Sequence, residues 1–175
     1  MAYGAGVCVV MTVALQACSG SAAQREPSGT VLAEDAYLRN LVGEWSIERS
    51  IRGKVVGNRM SVESALGGAF VRLHMESTTP SDPYEAIVLV GFDTSRGEYV
   101  AHWCDSFGPA YSAIGHGKRD GQRLELRFDY PSGPFFNTWE YDPAADRWTF
   151  TGESGAASRE RTLFARDVVT RVHAR

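Results

Sequence analysis

Apolar and polar residues alternate one by one along most of the chain beyond residue 42. The cleanest stretch is 122–130. Leu124, Leu126 and Phe128 point one way there, and Arg123, Glu125, Arg127 and Asp129 the other. Successive side chains of a strand leave opposite faces, so this period of two marks an antiparallel strand with one wet face. The first such stretch opens at Leu41-Val42-Gly43-Glu44-Trp45-Ser46-Ile47-Glu48-Arg49. Trp45, Ile47 and Ile51 share one side; Glu44, Ser46 and Glu48 share the other. Turn residues then punctuate the chain at Arg52-Gly53-Lys54, Gly67-Gly68, Pro80-Ser81-Asp82-Pro83 and Asp93-Thr94-Ser95-Arg96-Gly97. They recur at Ser106-Phe107-Gly108-Pro109, Arg119-Asp120-Gly121, Pro131-Ser132-Gly133-Pro134 and Asp142-Pro143-Ala144-Ala145-Asp146.

The strands between these breaks are expected at 55–66, 69–77, 84–92, 98–105, 110–117, 122–130, 135–141, 147–153 and 159–167, with 168–175 fraying. Together with the first they make about ten strands at the spacing of a barrel or sandwich. No helical stretch of crossover length interrupts them, which excludes a parallel sheet. The fold class is therefore all-β: a single antiparallel up-and-down β-barrel, which removes its own edges, with a β-sandwich as runner-up. Residues 30–41, with Leu32, Tyr37, Leu38 and Leu41, suit one short N-terminal helix closing a barrel end.

The N-terminus adds a second expectation. Residues 7–17 are almost wholly apolar and too short to span a bilayer, as in a signal-peptide core. Leu15-Gln16-Ala17-Cys18 resembles a bacterial lipoprotein box, which implies that Cys18 is lipidated, holds the protein to a membrane and becomes the first residue. Cleavage after Ser21-Ala22-Ala23, or no export at all, are the alternatives. The domain plan is then a signal peptide at 1–18, a small polar tether at 19–29, the barrel at 30–167 and a tail at 168–175. The expected location is outside the cytoplasm, in the periplasm or at the cell exterior. Cys8 and Cys18 fall in the leader region, so Cys104 alone remains in the barrel and no internal disulfide forms.

Composition narrows the function classes. The 175 residues are 43% hydrophobic and 22% charged, with 18 basic and 21 acidic side chains interspersed and a net charge of −3. A nucleic-acid partner needs a clustered basic surface, which this chain lacks.

Gly43-Glu44-Trp45 resembles the Gly-x-Trp signature of the calycin group, the lipocalins and their relatives. That resemblance implies a basic residue of the last strand packed on Trp45; Arg159 and Arg161 are the candidates, with Arg161 preferred. The chain is also similar to a bacterial family of lipocalin-like domains over 38–167. The similarity lies in Leu41-Val42-Gly43-Glu44-Trp45, in Gly67-Gly68-Ala69-Phe70-Val71, and in Gly91-Phe92-Asp93-Thr94-Ser95-Arg96-Gly97-Glu98-Tyr99 with Trp103 beyond. The family implies a fold and carries no established reaction. Nitrobindin-like haem barrels are more distant. Their glycine-rich step after the Trp is replaced here by Ser46-Ile47-Glu48.

Chemistry-bearing residues are sparse. His102 and Cys104, two apart on a strand, share a face and offer two soft metal ligands, with His74 or His116 as a third. Real zinc patterns carry a second pair, so hydrogen-bonded histidines are the plainer reading and no metal or cofactor is expected. Gly115-His116-Gly117 opens no helix and does not make a phosphate loop. Arg72, His74 and Glu76 are read as outer-face residues opposite Val71, Leu73 and Met75. Aromatics recur on nearly every strand. About ten strands enclose more space than eight, which leaves room for an apolar pocket. Trp103, Tyr99, Tyr111, Val90 and Phe128 are the expected ligand contacts, with Trp103 as anchor. Three functions follow: a barrel binding a small apolar or amphipathic ligand, a filled barrel that works through its surface, and, least favoured, an enzyme using His102 or His74 in a cavity.

Overall fold

The computed structural model describes residues 35–155 and 160–173. The expected signal segment and tether, with Cys18, lie outside the described residues. Among the described residues one α-helix, α1 (Ala36–Leu41), leads into ten strands. They are β1 (Gly43–Ile51), β2 (Lys54–Ala65), β3 (Phe70–Ser77), β4 (Glu85–Asp93) and β5 (Glu98–Asp105), then β6 (Ala113–Asp120), β7 (Arg123–Tyr130), β8 (Gly133–Asp142), β9 (Arg147–Ser154) and β10 (Thr162–Arg171). Each strand pairs antiparallel with the next, and β1 pairs with β10, so the sheet closes as an up-and-down barrel.

The alternation decides what fills it. Leu124, Leu126 and Phe128 of β7 are buried, while Arg123, Arg127 and Asp129 face water. Val71, Leu73 and Met75 of β3 point inward, leaving Arg72, His74 and Glu76 on the outer face as their spacing implies. Glycines set two close approaches on β6. A Cβ at Gly115 would strike the Phe128 ring, and one at Gly117 would strike the Glu125 carbonyl of β7. Packing, not phosphate binding, accounts for Gly115-His116-Gly117.

Helix α1 plugs one end of the barrel. The Asp35 carboxylate caps it by accepting from the Tyr37 and Leu38 amides at 2.9 and 3.3 Å, a standard N-cap. Tyr37, Leu38 and Leu41 are buried beneath it, and the Tyr37 hydroxyl donates to the Trp139 carbonyl at 2.8 Å. Tyr37 meets the Trp148 ring edge-on at 4.9 Å, and the Tyr99 hydroxyl donates to Asp35. This half is filled.

Strands β6 and β10 differ most from the sequence reading, running 113–120 and 162–171 rather than 110–117 and 159–167. Gly108, at φ 93°, and Pro109 start a one-turn 3-10 helix at Pro109–Tyr111, so β6 begins only at Ala113. Proline fixes φ and lacks the N–H that a sheet ladder needs. The last strand runs four residues beyond Asp167, through the stretch read as a fraying tail. Asp167 and Arg171 look solvent-facing in sequence, but inside the barrel each meets a partner on β1. Asp167 stands opposite Arg49, and Arg171 opposite Trp45.

Arg171, not Arg161, covers Trp45. Its guanidinium lies 4.0 Å from the indole, while Nη1 donates to the Val42 carbonyl and Nη2 to the Asn40 carbonyl, each at 2.9 Å. Asp146 pairs with its Nε and is held below the usual carboxylate range by that hydrogen bond. The Trp45 indole N–H donates to the Leu41 carbonyl at 2.7 Å. Gly43 has φ +137°, and a Cβ there would occupy the space of Arg171 Nη1. Arg161 precedes β10 and lies outside the barrel, 3.6 Å over the Phe136 ring and bonded to Glu125.

Trp45→Ala is expected to cost about 3–5 kcal/mol, as large aromatic truncations do in cores. Gly43→Ala, which adds backbone strain and displaces Arg171, is expected to cost at least about 1–3 kcal/mol. Arg161→Ala should fall well below both. Denaturant midpoints of the three variants check the order.

Candidate functional site

At the other end of the barrel the described residues form no α-helix, only the one-turn 3-10 helix Pro109–Tyr111 on the rim. The inner wall below it carries small residues: Ala86 and Ala101 are buried, Ala113 packs against the core, and Gly115 and Gly152 leave room for the Phe128 and Phe135 rings. Aromatic side chains gather around the opening. Tyr111 meets Phe107 at 6.0 Å, and Phe107 meets Tyr84 at 5.8 Å. Trp103 meets Phe128 at 6.0 Å, and Phe128 stacks on Tyr130 at 6.3 Å. Tyr130 then meets Phe135, and Phe135 meets Phe164, at 6.4 and 5.6 Å. A cavity of about 270 Å³ lies beside the β7–β8 turn at this end, lined by Tyr130, Phe135, Ser132-Gly133-Pro134 and the neighbouring Ser154 and Gly155, so of these rings it touches Tyr130 and Phe135.

Polar groups lie within this apolar frame. Arg49 of β1 reaches inward and grips Asp167 of β10 through Nε and Nη2 at 2.8 and 2.7 Å. The pair is largely buried, with side-chain exposures of 13% and 6%. Burial works to lower the Arg49 pKa, but the hydrogen bond and charge of Asp167 outweigh it and hold the guanidinium charged. The same guanidinium lies 5.0 Å from the Tyr84 ring. Burial pushes the Tyr84 phenol up to about 12. Tyr130 is pushed to about 12 by burial, with Asp105 adding to the shift. The Trp103 indole N–H donates to Asp105 at 3.2 Å, and the Phe107 amide donates to the other oxygen of that carboxylate at 3.0 Å.

Asn58 of β2 is the exception to this pairing. It is 3% exposed, yet its Nδ2 has no hydrogen-bond partner among the described residues. A buried donor left unpaired costs about 1–3 kcal/mol. Nothing in the sequence flags it, since Asn58 reads as a polar residue near a turn.

The expected ligand contacts separate. Trp103 is half-buried at the open end and Phe128 lies directly below it. Tyr111 is 56% exposed, off the sheet on the rim, because the 3-10 turn carries it there. Val90 and Tyr99 belong to the filled half and face no opening. Tyr99 is 3% exposed, donating to Asp35 and accepting from Arg119 Nε at 3.0 Å. Tyr84, Arg49, Asp167, Asn58 and Tyr130 went unforeseen. Arg49 shares its strand face with Trp45 and Ile47, which is the signal that would have found it.

Histidine chemistry does not reach this end. His74 and His116 lie on the outer face, bonded to Glu85 at 2.8 Å and Glu98 at 3.0 Å. His102 also faces outward, against the Phe70 ring, and Cys104 beside it is exposed. A cavity acid–base role for His74 or His102 therefore has no geometry. His74 clusters with Glu76 and Glu85 rather than with His102 and Cys104. Glu76 is already held by Arg59 at 2.7 Å, and His74 Nε2 is bonded to Glu85 at 2.8 Å.

Asp167→Ala strands a buried cation and is expected to cost about 3–5 kcal/mol, whereas Arg49→Met with Asp167→Leu should recover most of it. Denaturant unfolding of the single and double variants measures this. Alkaline stability gives a second check. Tyr84 and Tyr130 stay protonated in the fold up to about 12, against about 10 when unfolded. Their contribution is full below the unfolded value and is lost as pH rises between the two. Unfolding and tyrosine ionisation, followed by absorbance, should therefore coincide in that window.

The solved structure of Rv2717c from M. tuberculosis is similar to this chain, with a TM-score of 0.55 and 12% identity over 79% of this chain and 99% of that one. At that identity the likeness shows the fold alone. Among curated proteins no relative matches the chain. The model of a family described as "Protein of unknown function (DUF1579)" matches residues 30–141. That match spans well over half of the sequence, and the chain belongs to the DUF1579 family.

Proposed function

We propose that the protein is a binding barrel that takes a small apolar or amphipathic ligand at its open end. The observation that carries this reading is the arc of aromatic rings from Tyr111 to Phe164 around an end that α1 does not close. Ligand sites combine such apolar walls with a few placed polar groups, here Arg49, Asn58, Tyr84 and Asp105. Trp103 is the anchor, because its indole offers a large apolar face and a polar N–H. The Gly43, Trp45 and Arg171 arrangement supports placing the barrel with the calycins. The apolar segment ending in Leu15-Gln16-Ala17-Cys18 supports export, with Cys18 as a lipid anchor in the periplasm or at the cell exterior.

A second reading is a barrel that works through its surface. It draws on the filled helical half and on Ile87 and Ile114, which are 41% and 51% exposed on the outer face.

An apolar fluorescent probe is expected to bind the full chain and to change Trp103 emission. Trp103→Ala should weaken that binding severalfold while Tyr99→Phe leaves it unchanged. A panel of fatty acids and aromatic probes that all fail to bind would instead favour the surface reading. Intact mass of membrane-extracted protein is expected to show a lipidated Cys18 as the first residue; a mature start at Gln24 would mean plain secretion.

A further inference from the structure

Three polar side chains stand in a row on the inner wall of the open half. Asp167 faces Arg49 across the β10–β1 register. Arg49 pairs with Val56 of β2, which places Asn58 diagonally beside it. Asn58 alternates with Arg59 and shares the inward face with Met60 and Val62. Diagonal neighbours on one sheet face lie about 7–8 Å apart, within reach of long side chains.

The charges in this row cancel. Arg49 is committed to Asp167 through Nε and Nη2, and its flank faces Tyr84. Asp105, at the same end, forms no ion pair among the described residues and adds a negative charge. A carboxylate ligand would meet no net positive charge here. An ammonium would have to desolvate beside Arg49. The buried Asn58 amide asks for something else, an acceptor for Nδ2. A neutral carbonyl supplies that acceptor and leaves no charge to compensate.

Resting on the reading of the open end as a ligand site, we infer that Asn58 is its polar floor. The ligand enters with an uncharged carbonyl group leading (an amide, ester or ketone). Its apolar part lies among Trp103, Phe128, Tyr130 and Tyr84. The unpaired donor is then satisfied only in the bound state, which couples ligand binding to the stability of the barrel.

Decanamide, decanoate and decylammonium share one chain length and differ in head group, and diphenylhexatriene has no polar atom. Calorimetric titration of the full chain at neutral pH is expected to show decanamide binding about tenfold tighter than the two ions, the worth of one good buried hydrogen bond. Asn58→Leu should abolish that preference and raise the melting temperature, because an unpaired buried amide is gone. Equal affinities for the three head groups, or decanamide binding unaffected by Asn58→Leu, would overturn the inference while diphenylhexatriene binding kept the ligand site itself. Failure of all four probes would remove both. If Asn58→Leu does not fold, the head-group series on the unaltered protein still decides.

Discussion

The structure depends on how the barrel closes. Arg171 does this at the last residue of the last strand. One guanidinium lies on the Trp45 ring, donates to two carbonyls at the end of α1 and its following residue, and pairs with Asp146 in the β8–β9 turn. First strand, last strand, helix and a distant turn therefore meet at one planar cation. Arginine suits this place because its flat face stacks while its edge donates in a fixed fork. A lysine would keep the charge and lose the geometry. Gly43 follows from the same arrangement, since any Cβ there would displace the guanidinium.

That closure divides the barrel into unlike halves. Beneath α1 the interior is packed by Trp45, Trp139, Trp148 and the Tyr37 ring; its tyrosine hydroxyls are bonded to fixed partners, while Trp148 Nε1 has none among the described residues. The opposite half holds a buried ion pair, an unpaired amide and rings only half covered. Apolar residues of similar volume in place of a buried ion pair are often neutral or stabilising. The buried Arg49–Asp167 pair is thus by itself no source of extra stability.

The residues expected around a ligand divide between the two halves: Trp103 and Phe128 lie toward the open end, Val90 and Tyr99 in the half beneath α1. Tyr99 and Val90 lie on the inward face of their strands, as their alternation says, but alternation fixes only which way a side chain points. It does not say whether the space in front is filled. For Tyr99 it is filled, because Asp35 and Arg119 converge on its hydroxyl from segments 64 and 20 residues away. Arg161 failed for a related reason. It was chosen as a basic residue of a last strand expected at 159–167, whereas the strand runs on to Arg171 and its register carries Arg171 to Trp45.

The sequence by itself determined the number and hand-over of the strands, a short helix within residues 30–41, the apolar inward residues of most strands and the all-β closed meander. These rest on period-two alternation and on turn residues, which act within a few positions of each other. Tertiary structure alone decided that Asp167 and Arg171 belong to the interior, that Tyr111 stays on the rim, and that Asn58, Arg49 and Tyr84 share one end. Charged residues in an alternating stretch read as solvent-facing until a partner on another strand is known. The partners here come from opposite ends of the chain, Arg49 with Asp167 and Trp45 with Arg171, and only barrel closure brings them together.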